Sequence, residues 1–466
     1  MEQKKRSSFS SRVGFVLAAA GSAVGLGNLW RFPYLAARYG GGIFLLVYLI
    51  LALTFGFSLM ITEIAIGRKT RLSCIGAYKA LDKRFGFLGW LAAFVPFIIT
   101  PYYCVIGCWV MKYLFTFISG GALAAADNGG FFSNFIGYDA GSLSATRFSL
   151  NGPTPWFVLF VLATVVVVIF GVEKGIEKAS RIMMPVLAVL AVVIAIYSLT
   201  IPGAMQGLKY YILPDFSQFS ASTVLGAMGQ LFYSMSLAMG IMITYGSYMQ
   251  KENLLEHSVA QIEIFDTLFA FVAGLMIIPA VIAFNGGDPS QVNSGPGLMF
   301  ITLPMVFDSM KFGTIIGAVF FLLVLFAALT SSISLMETLV SVLMDKAHMK
   351  RKPATILIAV CCLAIGLLSC LGYGPWATVT IIGMQFLDFF DFISNSVLMP
   401  IVALLTCILI GHVVGAKVIA DEVKEGAGSF HREKLHRVMV RWVAPLMLVA
   451  ILASELATKV FHLFTI

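Results

Sequence analysis

Residues Ala20 to Asn28 read AGSAVGLGN, and they interrupt a run from Val13 to Ala37, VGFVLAAAGSAVGLGNLWRFPYLAA, that is otherwise apolar enough to cross a membrane. Glycines, a serine and an asparagine at mid-run loosen a helix where no water is present to satisfy the freed backbone groups. Closely spaced glycines also mark dinucleotide-binding turns, but those follow a strand and open a helix in a soluble unit. A lone glycine in a membrane helix usually signals close packing. Gly21, Gly25 and Gly27 beside Ser22 and Asn28 point instead to local unwinding.

The surrounding chain has the composition of a membrane protein. Its 466 residues are 59% hydrophobic and 12% charged, against roughly 45–50% and about 25% in an average soluble domain. Eleven apolar runs, near 13–37, 41–66, 88–118, 156–171, 177–201, 222–248, 259–284, 313–343, 354–371, 389–412 and 439–463, fill the length and leave no room for a soluble domain. None alternates in the two-residue period of a membrane β-barrel strand, so the expected class is all-α. Basic residues precede the first run, as in a secretory signal, but that run is too long to be one and is kept as a helix.

The net charge of +8 does not form a nucleic-acid patch. Lysines and arginines gather at the N-terminus, in 68–84, at Lys174, Lys178 and Arg181, at Lys251, in 346–352 and in 417–441, whereas the loops between carry only Arg147, Lys209 and Lys311. This asymmetry predicts a cytoplasmic N-terminus in a plasma membrane and, after eleven spans, an outer C-terminus. Seven cysteines and six histidines show no metal or redox spacing, and no nucleophile, base and orienting group cluster as an enzyme requires.

Polar residues inside spans are candidate sites, because each needs a partner or a water-filled path. They include Asn28, Arg31, Glu63, Tyr102, Tyr103, Gln230, Ser234, Ser236, Asp266, Thr330, Ser331, Ser332, Glu337, Asp388 and Asp391. A second interruption, GQLFYSMSLAMG from Gly229 to Gly240, lies five spans after the first. Paired interruptions in two halves point to an inverted-repeat secondary transporter whose half-helix ends and free carbonyls bind ions and substrate.

AGSAVGLGNLWRFP, GQLFYSMSLAMG and AALTSSISLMET together resemble the neurotransmitter:sodium symporter family, bacterial amino-acid branch, over about residues 6–463. The resemblance implies a 5+5 inverted-repeat fold with helices 1 and 6 broken, organised as a 1–12 N-terminus, a 13–201 first repeat, a 202–412 second repeat, and a 413–466 loop and eleventh helix. Many relatives have twelve spans, and a bacterial subgroup has eleven.

It also implies two sodium sites: one from Ala23, Asn28, Ser234, Asp266 and the substrate carboxylate, the other from Gly21, Val24, Ala327, Thr330 and Ser331. These donors are all oxygen, which suits a hard cation. Asp266 stands where relatives commonly have asparagine, and Ala270 where chloride-dependent relatives have serine. A fixed carboxylate there supplies the negative charge of an anion, so no chloride requirement is expected.

Gly25 lies where amine carriers have an aspartate, which leaves room for a substrate carboxylate. Tyr103 and the backbone of Ser22, Ala23, Val24, Gly25, Leu26 and Gly27 would bind the amino-acid head group, with carbonyls of span six accepting the ammonium. Ile99, Tyr103, Tyr233, Ser236, Met239, Ser331 and Leu335 would line an uncharged side-chain pocket. Arg31 with Asp391 would form an outer gate under a Tyr233 lid, and Arg6 with Asp345 and Tyr248 an inner one. Gly175 and Pro185 match the family's Gly-x9-Pro hinge. The expected protein imports hydrophobic L-amino acids with sodium; a binding-only receptor on the same scaffold would keep the pocket without needing both gates.

Overall fold

The structure is a computed structural model that describes residues 7–138, 152–288, 292, 295–426 and 428–459. Helix α1 (Arg12–Ala23) starts at Ser11, whose hydroxyl accepts the Gly14 N–H, and ends at Val24 in an extended conformation. Helix α2 (Gly27–Arg38) resumes at an angle of 49°. The first half continues with α3 (Gly42–Thr70), α4 (Cys74–Leu81), α5 (Lys83–Ile118), α6 (Pro153–Ile169), α7 (Val172–Leu199) and α8 (Ala204–Ile212). The second half holds α9 (Ala221–Ser234), α10 (Ile241–Tyr248), α11 (Leu255–Phe284), α12 (Gly295–Asp308), α13 (Gly313–Lys346), α14 (Arg351–Gly372) and α15 (Phe386–Val413). Helices α16 (Lys417–Lys424) and α17 (Glu433–Thr458) follow.

Among the described residues, eight helices are long and apolar enough to span alone, and the bent α1/α2 pair makes a ninth. The other two expected spans are the 17-residue α6 and the α9/α10 pair, neither half of which has the length to cross alone. Helix α12, in the long connection between α11 and α13, was not anticipated from the sequence.

The break between α9 and α10 is a true unwinding. Ser236, Ala238 and Gly240 all have left-handed backbone, with φ of 53°, 60° and 71°. Non-glycine residues reach that region only at a cost, so surrounding structure must hold them. Glu63 of α3 does so, its carboxylate accepting the Ala238 N–H at 2.7 Å. Two glycines bring α3 and α10 into backbone contact: a Cβ on Gly67 would lie 1.9 Å from the Ile243 carbonyl oxygen, and one on Gly246 2.3 Å from that of Ile64. Small residues at such crossings are how membrane helices pack without a hydrophobic drive.

On the face richest in basic residues, Arg68 at the end of α3 is fully buried and pairs with Glu422 of α16 at 2.8 Å. It also donates to the Asn253 carbonyl at 2.9 Å, and Lys251 reaches Glu422 at 2.9 Å. Helix α16 is thereby fastened to α3 and to the α10–α11 connection. A buried charge of this kind persists only when paired and fully hydrogen-bonded.

Candidate functional site

The two breaks meet at the centre of the bundle. Ser22 donates to the Ser236 hydroxyl at 3.1 Å, Ser236 donates to the Ser22 carbonyl at 2.9 Å, and Gln230 donates to the Gly27 carbonyl at 2.9 Å. Side chains of the second segment therefore satisfy freed carbonyls of the first, which is what buried irregular backbone requires.

Asp266 sits beside this junction, fully buried on α11. One carboxylate oxygen accepts from Asn28 Nδ2 at 2.9 Å and from the Ser234 hydroxyl at 2.7 Å; the other accepts from the Tyr48 hydroxyl at 3.2 Å. Three residues of the first predicted sodium set are thus in mutual contact. Ala270, one turn along α11, is fully buried and carries no polar atom on its side chain. Tyr48 was missed: a tyrosine in an apolar run reads as core, and only the three-dimensional contact to Asp266 reveals its role.

The second set also converges. Ser331 donates to the carbonyls of Ser22 at 3.2 Å and Gly21 at 3.5 Å, and Thr330 donates to that of Ala327 at 3.1 Å. Val24 caps α1 at the break. Every donor atom in both sets is a hard oxygen suited to an alkali cation, and among the described residues no cluster of histidine, cysteine and carboxylates competes as a metal centre.

Between the two sets lies a pocket lined by Ser22, Ala23, Gly25, Leu26, Gly27, Ile99, Tyr103, Tyr233, Ser236, Met239, Ser331 and Leu335, together with Ile241, which the sequence reading omitted. Its cavity volume is about 30 Å3, so its walls stand close together. The Leu26 N–H donates to the Tyr103 hydroxyl at 3.3 Å. No charged side chain lines the pocket, which disfavours acidic and basic side chains by desolvation.

Around the pocket, Arg31 donates to the Gly229 carbonyl at 3.1 Å and lies 5.7 Å from the centre of the Tyr233 ring. Asp391 accepts from Tyr102 at 3.2 Å and from Asn395 at 2.5 Å. The two predicted gate residues form no direct ion pair with each other, and each is held by other groups. Asp345 accepts the Ser73 N–H at 2.6 Å, while Tyr248 donates to Glu337 at 2.7 Å, and Glu337 pairs with Arg351. Arg6 lies outside the described residues.

Gly175 sits in a widened turn at the start of α7, and Pro185 lies within the same helix. Two residues beyond Gly175, Glu177 accepts from Ser10 N at 2.7 Å and from Arg181 at 2.6 Å, tying the N-terminal segment to this turn. The sequence gives no local sign of this tie, since its partners stand more than 160 positions apart.

Compared with known families, residues 6–125 and 139–463 match the sodium:neurotransmitter symporter family. The chain belongs to this family. Members of it are transporters and not enzymes, and the helical fold with two broken spans is theirs. The chain is 35% identical to the sodium-dependent transporter YhdH of Bacillus subtilis, covering 92% of this chain and 93% of that one. It is 33% identical to a sodium-dependent transporter of Haemophilus influenzae over 97% and 99%. Among solved structures, MhsT in complex with L-phenylalanine matches with a TM-score of 0.85 and 38% identity, covering 97% of this chain and all of that one. The symporter is thus a membrane protein whose relatives depend on sodium.

Proposed function

We propose that this symporter imports hydrophobic L-amino acids, aromatic or branched, with two sodium ions and without chloride. The observation that carries the reading is Asp266, buried and held by Asn28, Ser234 and Tyr48 where the two broken spans meet. A fixed carboxylate at that depth favours a cation beside it and removes the need for a separate anion. Asn28, Ser234, Asp266 and the Ala23 carbonyl would hold one ion; Gly21, Val24, Ala327, Thr330 and Ser331 would hold the other. The cations' charge then attracts the substrate carboxylate, which the Tyr103 hydroxyl and the N–H groups at the start of α2 would hydrogen-bond.

The distribution of basic residues supports a cytoplasmic N-terminus, and the bacterial relatives support a bacterial inner membrane. Arg31, Asp391 and Tyr233 form the outer closure in this reading; Arg6, Asp345 and Tyr248 belong to the inner one. Unwinding at Gly175, ahead of Pro185, would admit water to the second ion. A binding-only receptor would show ligand affinity without accumulation. Uptake of a labelled amino-acid panel into proteoliposomes separates these readings: accumulation should require an inward sodium gradient and persist when gluconate replaces chloride. A several-fold loss in gluconate would remove the chloride claim, and binding without accumulation would establish the receptor.

The tight pocket makes Met239 decisive for size. It is buried on the pocket wall, and an unbranched thioether can swing aside for a bulky ligand and refill the space beside a small one. Phenylalanine is rigid at the same place. Met239→Phe is expected to penalise tryptophan and phenylalanine over valine and leucine by roughly ten-fold in competition curves, given that overpacking costs about 1–3 kcal/mol. An equal shift for all four competitors would take Met239 out of the pocket wall.

A further inference from the structure

The eleventh span, α17, is assigned to neither repeat, yet it carries a carboxylate bonded to the helix that holds Asp391. Glu455 is partly buried on α17 and accepts a hydrogen bond from the Ser396 hydroxyl at 2.8 Å. Ser396 follows Asp391 by five positions on α15, in a segment of widened turns. Helix α17 packs along α15 and also touches α9, the outer half of the second broken span. Helix α9, against which α17 lies, holds the Arg31 guanidinium through the Gly229 carbonyl at 3.1 Å, and the charges of Asp391 and Glu455 both act on that guanidinium.

These contacts make an arrangement of one cation and two anions. Arg31 is carried by α2, which belongs to the moving pair of broken spans in any alternating-access scheme. Both carboxylates are carried by the neighbouring α15 and α17. Asp391 already accepts from Tyr102 and Asn395, so its charge is shared among three donors once Arg31 closes on it. Glu455 adds a second negative charge that is fixed in place through Ser396 and pulls the guanidinium in the same direction.

We propose that Glu455 is a third charged member of the outer gate, a positioning residue on the eleventh span that biases Arg31 toward the closed arrangement. It acts at a distance and touches neither substrate nor sodium. The inference rests on the assignment of Arg31 and Asp391 as the outer gate. It gives α17 a part in the transport cycle, through the Ser396–Glu455 hydrogen bond that ties it to α15.

The test uses a thiol reporter beside the guanidinium. A Cβ on Gly229 would stand 3.7 Å from Arg31 Nη2, with no other atom beyond its own helix backbone and chain neighbours within 4 Å, so Gly229→Cys fits and reports exposure of the gate. Purified full-length protein is labelled with N-ethylmaleimide, a neutral reagent whose approach the charge changes do not alter, and the rate for protein lacking the reporter is subtracted. Glu455→Gln should raise the labelling rate about two- to five-fold in sodium, the range for a partly exposed ion pair. Glu455→Asp should stay near the parent, and Ser396→Ala should move the rate in the same direction by less.

Combining Glu455→Gln with Arg31→Ala separates charge coupling from packing. The proposal holds if Glu455→Gln then adds nothing, and it is overturned if the full increase persists without the arginine. It is equally overturned if Glu455→Gln leaves the rate unchanged while Asp391→Asn raises it. Should Glu455→Gln fail to fold, Ser396→Ala carries the same comparison. Loss of the symport reading shows separately, as absence of sodium-driven uptake in the parent, while the coupling between residues 31 and 455 is still read from labelling.

Discussion

Asp266→Asn is expected to weaken sodium-dependent substrate binding by about a hundred-fold or more, the largest effect of any single substitution in this molecule. The carboxylate accepts from three donors at once, Asn28, Ser234 and Tyr48. An amide in its place has one accepting oxygen, and its NH2 group must face at least one of those donors. The variant also loses the charge that attracts a cation to a site where every other protein ligand is neutral. Breaking one side of a buried charge interaction costs about 3–5 kcal/mol, which corresponds to a hundred-fold or more in affinity. Titrating sodium against binding of labelled phenylalanine by scintillation proximity measures the effect. A sodium curve that does not move would place the first cation away from Asp266 and remove the main argument for chloride independence as well.

The centre of the site is legible in the sequence because the membrane leaves few alternatives there. A glycine or serine run at mid-span has to unwind or pack, and Asn28, Ser234 and Asp266 have to find polar partners. The structure shows them finding one another. The all-α class follows from the same constraint, since runs without alternation can satisfy their backbone only as helices. Tyr48 escaped notice because its side chain is amphipathic and is at home in an apolar run until a carboxylate is placed next to it.

Long-range ion pairs were illegible for a different reason. Arg68 reads as one more basic residue at a cytoplasmic loop, yet it is buried against Glu422, 354 positions away. Loop charge carries a topology signal and says nothing of pairing. The same holds at the proposed gate: Arg31 and Asp391 stand out as charges within spans, but the Gly229 carbonyl that Arg31 uses and the Tyr102 hydroxyl that Asp391 accepts from are contacts between helices that no spacing rule encodes; only Asn395, four positions after Asp391 on α15, follows from spacing. Glu455 carries a signal that was available and unused, an ionisable residue within an apolar helix, in a span assigned to neither repeat.

Gly25→Ala is expected to lower the affinity for substrate and for sodium together, by roughly ten- to a hundred-fold, because one added methyl group meets both binding systems. Its Cβ would lie 2.6 Å from the Ser331 hydroxyl oxygen and 2.9 Å from that of Tyr103, closer than unbonded atoms tolerate. Neither neighbour is free to retreat without loss: Ser331 donates to the Ser22 carbonyl at 3.2 Å, and Tyr103 accepts the Leu26 N–H at 3.3 Å. Pushing Ser331 aside removes a ligand of the second sodium set, while pushing Tyr103 aside moves the group assigned to the substrate carboxylate. Overpacking of this kind costs about 1–3 kcal/mol, the source of the expected range. Measured at saturating sodium, the loss of phenylalanine affinity isolates the Tyr103 component. Measured as sodium-induced thermal stabilisation without amino acid, it isolates the Ser331 component. If only the first changes, Gly25 shapes the pocket without touching the second cation. If both affinities equal those of the parent, the carboxylate does not sit between α1 and α5, and the amino-acid reading of the pocket loses its head-group site.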